Sequence, residues 1–164
     1  MLSADDVIRL LDLKELPQEG GLFRETYRSS EILPADALPR CTGRRCLCTD
    51  IFYLLRPGMV SHLHRLASDE VYHFQLGQAV TMLHLYPDGS SKLLTLGSDL
   101  AAGQQLQVVV PRNVWQGAFL PSGEFALMSV TVAPGFEYAD FEVGQRAELI
   151  AQYPDQAEAI TRLT

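Results

Sequence analysis

The chain has 164 residues, of which 47% are hydrophobic and 20% charged, and its net charge is −7. This length and balance suit one domain spanning residues 1–164, with a core that needs no disulfides. No apolar run approaches the roughly 20 residues that cross a bilayer, so no membrane partner is expected. The acidic balance also excludes a phosphate-backbone footprint: Arg40, Arg44 and Arg45 form one local cluster rather than a stripe, and no nucleic-acid partner is expected.

The N-terminal MLSADDVIRLLDL carries acids where a secretory signal would carry positive charge, which predicts a retained segment and a cytoplasmic protein. It reads as a helix capped by Ser3 with Asp6 closing the box, and it ends before Pro17. Gly20 and Gly21 break the chain. Residues 22–29 then alternate in a strand-like way, and a loop with Pro34, Pro39 and Gly43 follows. Cys41, Cys46 and Cys48 are odd in number and lack the CxxC spacing of a zinc knuckle, so they read as free thiols.

From Leu47 to Ala133 the chain is a series of short apolar-rich runs: 47–55, 59–64, 70–76, 79–86, 91–96, 105–110, 114–120 and 125–133. Turn signals such as RPG, PDGS, PRN and PSGE separate them. Strands at this pitch predict an antiparallel sandwich or barrel with Greek-key or jelly-roll connections. Two C-terminal helices, 146–152 and 155–163 split at Pro154, are expected to cap the outside.

The chemistry concentrates in SHLHRLASDEVYHF, residues 61–74. His62 and His64 are two apart on a predicted strand, so both rings should leave one face at roughly 6–7 Å separation. Glu70 opens the next strand, which can return its carboxylate over that face. Two imidazoles and one carboxylate are a donor set for iron, manganese, zinc or nickel. Asp69 reads as a turn residue. Strict alternation puts Tyr72 and Phe74 on the pocket side with Glu70, and His73 on the other. His84 lies inside an apolar strand and reads as hydrogen-bonded structure.

Gly58-x3-His62-x-His64-x5-Glu70-x6-Gly77 resembles the first motif of the cupin superfamily, and Gly103-x7-Pro111-Arg112-Asn113-Val114-Trp115-Gln116 resembles the second. With EGGLFRETYRS at 19–29, DIFYLLRPG at 50–58, VVVPRNVWQGA at 108–118 and APGFEYADFE at 133–142, the chain is similar to cupin family 5, the DUF985 domain. The resemblance implies an all-β cupin jelly-roll β-barrel of antiparallel strands, with an N-terminal helix and short C-terminal helices. It implies a ligand site at the barrel mouth, a homodimer, and Gln116 rather than Trp115 facing the cavity. Gln116 stands where a metal cupin usually places its last histidine, and a neutral amide is a weak ligand for a first-row metal.

Tyr53, and Arg24 with Tyr27, are candidates to add a phenol and a guanidinium to the pocket. Arg44 and Arg45 stand in a loop that could meet an anionic substrate. Three uses of the pocket stay open. The first is a metal-independent isomerase or epimerase acting on a sugar derivative or similar small polar metabolite. In that reading His62 or His64 is the base, Glu70 orients it and Tyr53 is the acid, with Tyr72, Phe74, Gln116, Arg24 and Arg44 contacting substrate. The second is a metal-dependent oxygenase or isomerase with His62, His64, Glu70 and a weakly bound Gln116 as ligands. The third is a metabolite-binding module without catalysis.

Overall fold

A computed structural model describes residues 2–164 except 39 and 42. The chain opens with α1 (Ala4–Leu11), whose capping box is complete: Asp6 N–H donates to Ser3 Oγ at 3.1 Å and Ser3 N–H to Asp6 Oδ2 at 3.2 Å. Such a cap stabilises a helix by about 0.5–2 kcal/mol. Strands β1 (Lys14–Glu15), β2 (Leu22–Arg28), β3 (Ile32–Leu33), β4 (Arg45–Cys46), β5 (Thr49–Leu55), β6 (Val60–Arg65) and β7 (Asp69–Gly77) follow. They are succeeded by β8 (Val80–Leu85), β9 (Ser91–Leu96), β10 (Gln107–Val110), β11 (Trp115–Phe119), β12 (Ala126–Ala133) and β13 (Glu142–Val143), and the chain ends in α2 (Arg146–Gln152) and α3 (Ala157–Arg162).

The strands make two principal sheets, ordered β1-β2-β5-β12-β7-β10 and β13-β6-β11-β8-β9, with β3 and β4 paired separately. All ladders between named strands are antiparallel. The hydrogen-bonded ladders do not close into one cylinder; two open sheets face each other in the jelly-roll manner.

Between the sheets lies a core that includes Leu55, Met82, Leu96, Val108, Ala118 and Met128. The outer faces are covered as well. Leu63, Leu83, Leu85 and Trp115 pack under Leu149 and Ile160 of the C-terminal helices and Leu163 just beyond them, and Leu54 and Leu127 pack under Val7 of α1. Burial on both faces explains why runs such as β8 read as nearly continuous apolar sequence rather than clean alternation. The second C-terminal helix starts two residues later than the sequence predicts, because Pro154–Gln156 forms a 3-10 turn ahead of it.

Candidate functional site

The site begins with an irregularity in β6. Ser61 pairs with Ala118 and His64 with Gln116, so two residues, His62 and Leu63, oppose the single Gly117. This β-bulge shifts the two-residue alternation by one position. Ser61 and His64 therefore both point between the sheets, and His62 does not share His64's face. His62 is half-buried and lines a shallow surface groove with Gln18, Gln145 and Arg146. Its backbone N–H and its Nδ1 both meet the Glu19 carbonyl oxygen, at 2.8 and 2.9 Å.

His64 is 1% exposed. Its Nδ1–H donates to the His62 carbonyl at 2.7 Å, which leaves the Nε2 lone pair facing inward. Phe141 stacks on the ring at 4.9 Å between centroids.

Glu19 arrives from outside the 61–74 stretch. Gly20 and Gly21 adopt φ of +88° and +71°, and a Cβ on either would lie 2.5 Å from the Val60 carbonyl or 2.6 Å from the Tyr53 ring. Only a glycine pair permits this close passage over the end of β6 and β5. The turn delivers the Glu19 carboxylate into the interior, where Oε1 accepts from Ser61 Oγ at 3.0 Å and Oε2 stands 3.9 Å from His64 Nε2. Sequence reasoning misses Glu19 as a site residue; the EGG triplet is its signal, since paired glycines mark a close backbone approach.

Gln116 knits the interior together. Its Nε2 lies 2.8 Å from His64 Nε2 and 2.8 Å from the Tyr72 hydroxyl, and it also contacts Glu70 Oε2. The amide thus shares two N–H groups among three acceptors, one from β6 and two from β7 of the opposite sheet. Burial, with the nearby negative charge of Glu19 adding to it, pushes the Glu70 carboxyl well above the usual carboxylate range. Burial, together with Glu70 and Glu19, likewise raises the Tyr72 phenol.

A cavity of about 350 Å³ opens against these groups, with Glu19, Glu70 and Tyr72 in its wall beside Phe23, Phe136 and Tyr138. His64 and Gln116 are not among its lining residues: they back the wall through Glu70 and Tyr72. At the mouth, Arg28 bridges Glu25 Oε2 at 2.9 Å and Glu137 Oε1 at 3.1 Å. A second bulge, between Glu25 and Tyr27 of β2, brings Arg28 round to the same inner face as Phe23 and Glu25.

Other residues singled out by the sequence sit elsewhere. Arg24 stacks over Phe52, 5.6 Å from its ring centroid, and Phe52 packs toward α1, so the inward guanidinium is Arg28 instead. Arg44 is exposed and does not line the cavity, while Arg45 is 4% exposed in a bidentate pair with Asp140 at 2.9 and 2.7 Å. Tyr53 is fully buried behind Gly21 and donates to the Gly20 carbonyl at 3.0 Å, which makes it a support for the Glu19 turn rather than a wall residue. Phe74 packs in the core beneath the cavity, and His73 lies half-buried on the outer face of β7. Cys41, Cys46 and Cys48 are free thiols.

His84 is fully buried directly across the ladder from Gln116, yet neither ring nitrogen has a hydrogen-bond partner among the described residues. Burial, assisted by Lys92, lowers its pKa to about 4.

The arrangement does not fit a two-histidine metal centre. The bulge turns His62 away. The amide N–H groups of Gln116 point at His64 Nε2 and Glu70, so hydrogen-bond donors occupy the directions from which a cation would be ligated. Among the described residues no group of three or more His, Cys, Asp or Glu side chains is arranged to hold a metal ion.

Comparison with known proteins places this geometry in a family. The chain is 34% identical over 135 residues to the Saccharomyces cerevisiae protein YML079W, a match that spans 75% of this chain and 66% of the yeast protein, just under two thirds of its length. The structure superposes on protein SO0799 from Shewanella oneidensis with a TM-score of 0.89 at 36% identity, covering 100% of this chain and 98% of that one. A hypothetical protein from Leishmania major gives a TM-score of 0.90 at 28% identity, covering 99% of both chains. The oxalate decarboxylase of Bacillus subtilis is similar at a TM-score of 0.56 and 16% identity over 93% of this chain and 37% of that one, a likeness of fold alone. None of the helices among the described residues is long and apolar enough to cross a membrane. A family model described as cupin superfamily (DUF985) matches residues 5–144, and the chain belongs to that family.

Proposed function

We propose that this protein is a metal-independent enzyme that moves a proton on a small carbonyl-bearing metabolite, an isomerase-like or epimerase-like reaction on a sugar derivative or similar polar compound. The observation that carries the reading is the pair of carboxyl groups in one cavity wall, Glu19 and Glu70, both 3.9 Å from His64 Nε2 and held by different partners. Burial and the nearby Glu19 raise the Glu70 carboxyl well above the usual carboxylate range, which biases Glu70 toward its protonated form. Its proton is suited to a substrate carbonyl oxygen, while the Glu19 carboxylate, oriented by Ser61, takes the proton from the adjacent carbon. The product of that step is a neutral enol, an enediol where the adjacent carbon carries a hydroxyl. Return of the proton to the opposite face epimerises that carbon, and its delivery to the other carbon of an enediol, with loss of the second hydroxyl proton, isomerises the sugar.

His64, Gln116 and Tyr72 are positioning residues in this scheme: they fix where the Glu70 proton stands. The donor set supports a metal-free route, and no metal step enters.

The test is turnover of a panel of aldoses, ketoses and keto acids in deuterated water, with solvent deuterium entering the carbon next to the carbonyl. Glu70→Gln is expected to retain the fold and lose roughly 10²–10⁴-fold in exchange rate, the usual contribution of a general acid or base. Binding without exchange in the wild-type protein would identify a non-catalytic module. Exchange that survives in Glu70→Gln would end the assignment.

A further inference from the structure

We propose that the metabolite taken by the cavity carries a positively charged nitrogen, an alkylammonium group, and no phosphate or carboxylate. The inference rests on the reading of this cavity as the substrate site and names the substrate class.

The mouth decides the sign. Among the described residues that line the cavity Arg28 is the sole basic one, against Glu25 and Glu137 at the mouth and the carboxylate of Glu19 further in. Its guanidinium is fully engaged with protein: Nε and Nη2 donate to the two oxygens of Glu25 at 3.2 and 2.9 Å, and Nη1 donates to Glu137 Oε1 at 3.1 Å. Both Nη atoms also reach the Phe136 carbonyl at 3.4 Å, and Cys46 Sγ lies 3.6 Å from Nη1. An incoming anion would have to break that set and then face two carboxylates sharing one positive charge. A cation meets the opposite situation, because the Glu25–Arg28–Glu137 group keeps an uncompensated negative charge.

The walls agree with the mouth. Phe136 and Tyr138 meet edge to face with centroids 5.0 Å apart, and with Phe23 they line the same cavity as Glu19. Ring faces carry negative electrostatic potential and attract ammonium groups, more strongly where water is excluded. Aromatic surface flanked by carboxylates is the chemistry that recognises an amine. The volume of about 350 Å³ lies at the small end of ligand pockets and suits an amino sugar or a short amino ketone.

The experiment compares glucosamine, glucose, glucose 6-phosphate, glucuronate and tetramethylammonium by NMR titration of the intact protein labelled in Phe and Tyr. Glucosamine and tetramethylammonium are expected to shift the Phe136 and Tyr138 signals, with glucosamine at least tenfold tighter than glucose. That preference should shrink severalfold in Glu137→Gln. Failure of both cations to shift those signals, equal or tighter binding of either anion, or an unchanged preference in Glu137→Gln overturns the inference. The two readings separate cleanly. An anionic substrate showing Glu70-dependent deuterium exchange removes the ammonium assignment and leaves proton transfer standing, whereas ammonium binding without such exchange does the reverse.

Discussion

Gln116 has a histidine on either side of it in the same sheet, and the two could hardly be placed more differently. His64 and His84 are 1% and 0% exposed, and each sits directly across a ladder from Gln116. On the His64 side every polar group is tied: Nδ1 to the His62 carbonyl, Nε2 to the Gln116 amide, and that amide onward to Glu70 and Tyr72. On the His84 side both ring nitrogens and Gln116 Oε1 lack partners among the described residues. Burial is equal, so burial is not what makes a site. The difference is the sheet opposite: Glu70 and Tyr72 of β7 stand within reach of one histidine, and the other faces core. A buried imidazole with partners becomes a fixed acceptor; one without them is driven neutral, and its presence costs stability.

His64→Ala is expected to lower turnover by about 10²-fold or more with the fold intact, because Gln116 then loses the acceptor that orients it against Glu70. His84→Leu should stay near wild-type turnover, and equal losses in steady-state assays of the two variants would erase the distinction.

Acid stability comes next. The folded-state pKa of His84, about 4, lies below its unfolded value of 6.5, so the unfolded chain binds the extra proton. Its contribution is complete above pH 6.5 and is lost as pH falls from there to about 4, a change of up to about 3 kcal/mol. Urea titrations across that range should show His84→Leu flattening the decline. The carboxyl of Glu70 has the opposite sign. Its folded pKa is raised above 4.5, so stability drains as pH rises past that value, and Glu70→Gln should be the more stable protein at pH 7.

Smaller effects sharpen the His64 side. Gly21→Ala forces a Cβ to within 2.6 Å of the Tyr53 ring at a left-handed φ, which should cost about 1–3 kcal/mol in thermal or chemical denaturation and displace Glu19. The smallest change is expected from His62→Ala, which removes one hydrogen bond to the Glu19 carbonyl, worth roughly 1 kcal/mol, and leaves turnover close to wild type.

Much of this is legible in the sequence. Turn signals between apolar runs delimit the eight main strands of the two facing sheets from β5 to β12, and Ser3 and Asp6 announce α1, because turns and caps are local chemistry. Alternation assigns Glu70, Tyr72 and Phe74 correctly to one face, since β7 is regular through those residues. The same rule fails on β6, where a bulge interrupts it and it sends His62 inward; on β2 a bulge between Glu25 and Tyr27 brings Arg28 to the inner face, and the guanidinium candidate Arg24 lies on the other face ahead of that bulge. A bulge depends on how many residues the partner strand sets opposite, which is a pairing property with no letter of its own. Short strands such as β1, β3, β4 and β13 are also invisible, as two-residue pairings carry no periodicity.

The bulge in β6 works as a change of phase. Before it the inward residues are odd-numbered and after it even-numbered, so tolerance to polar or bulky substitution should switch parity between Ser61 and His64 within one continuous strand. Deleting a single residue there would keep every side chain of the site in the sequence and bring the two halves back into step. The imidazole at position 64 would then have to leave either its ladder partner or its place against Glu70. What distinguishes this interior from other arrangements of the same residues is therefore a count, one position too many between two rungs, rather than the identity of any group that touches the cavity.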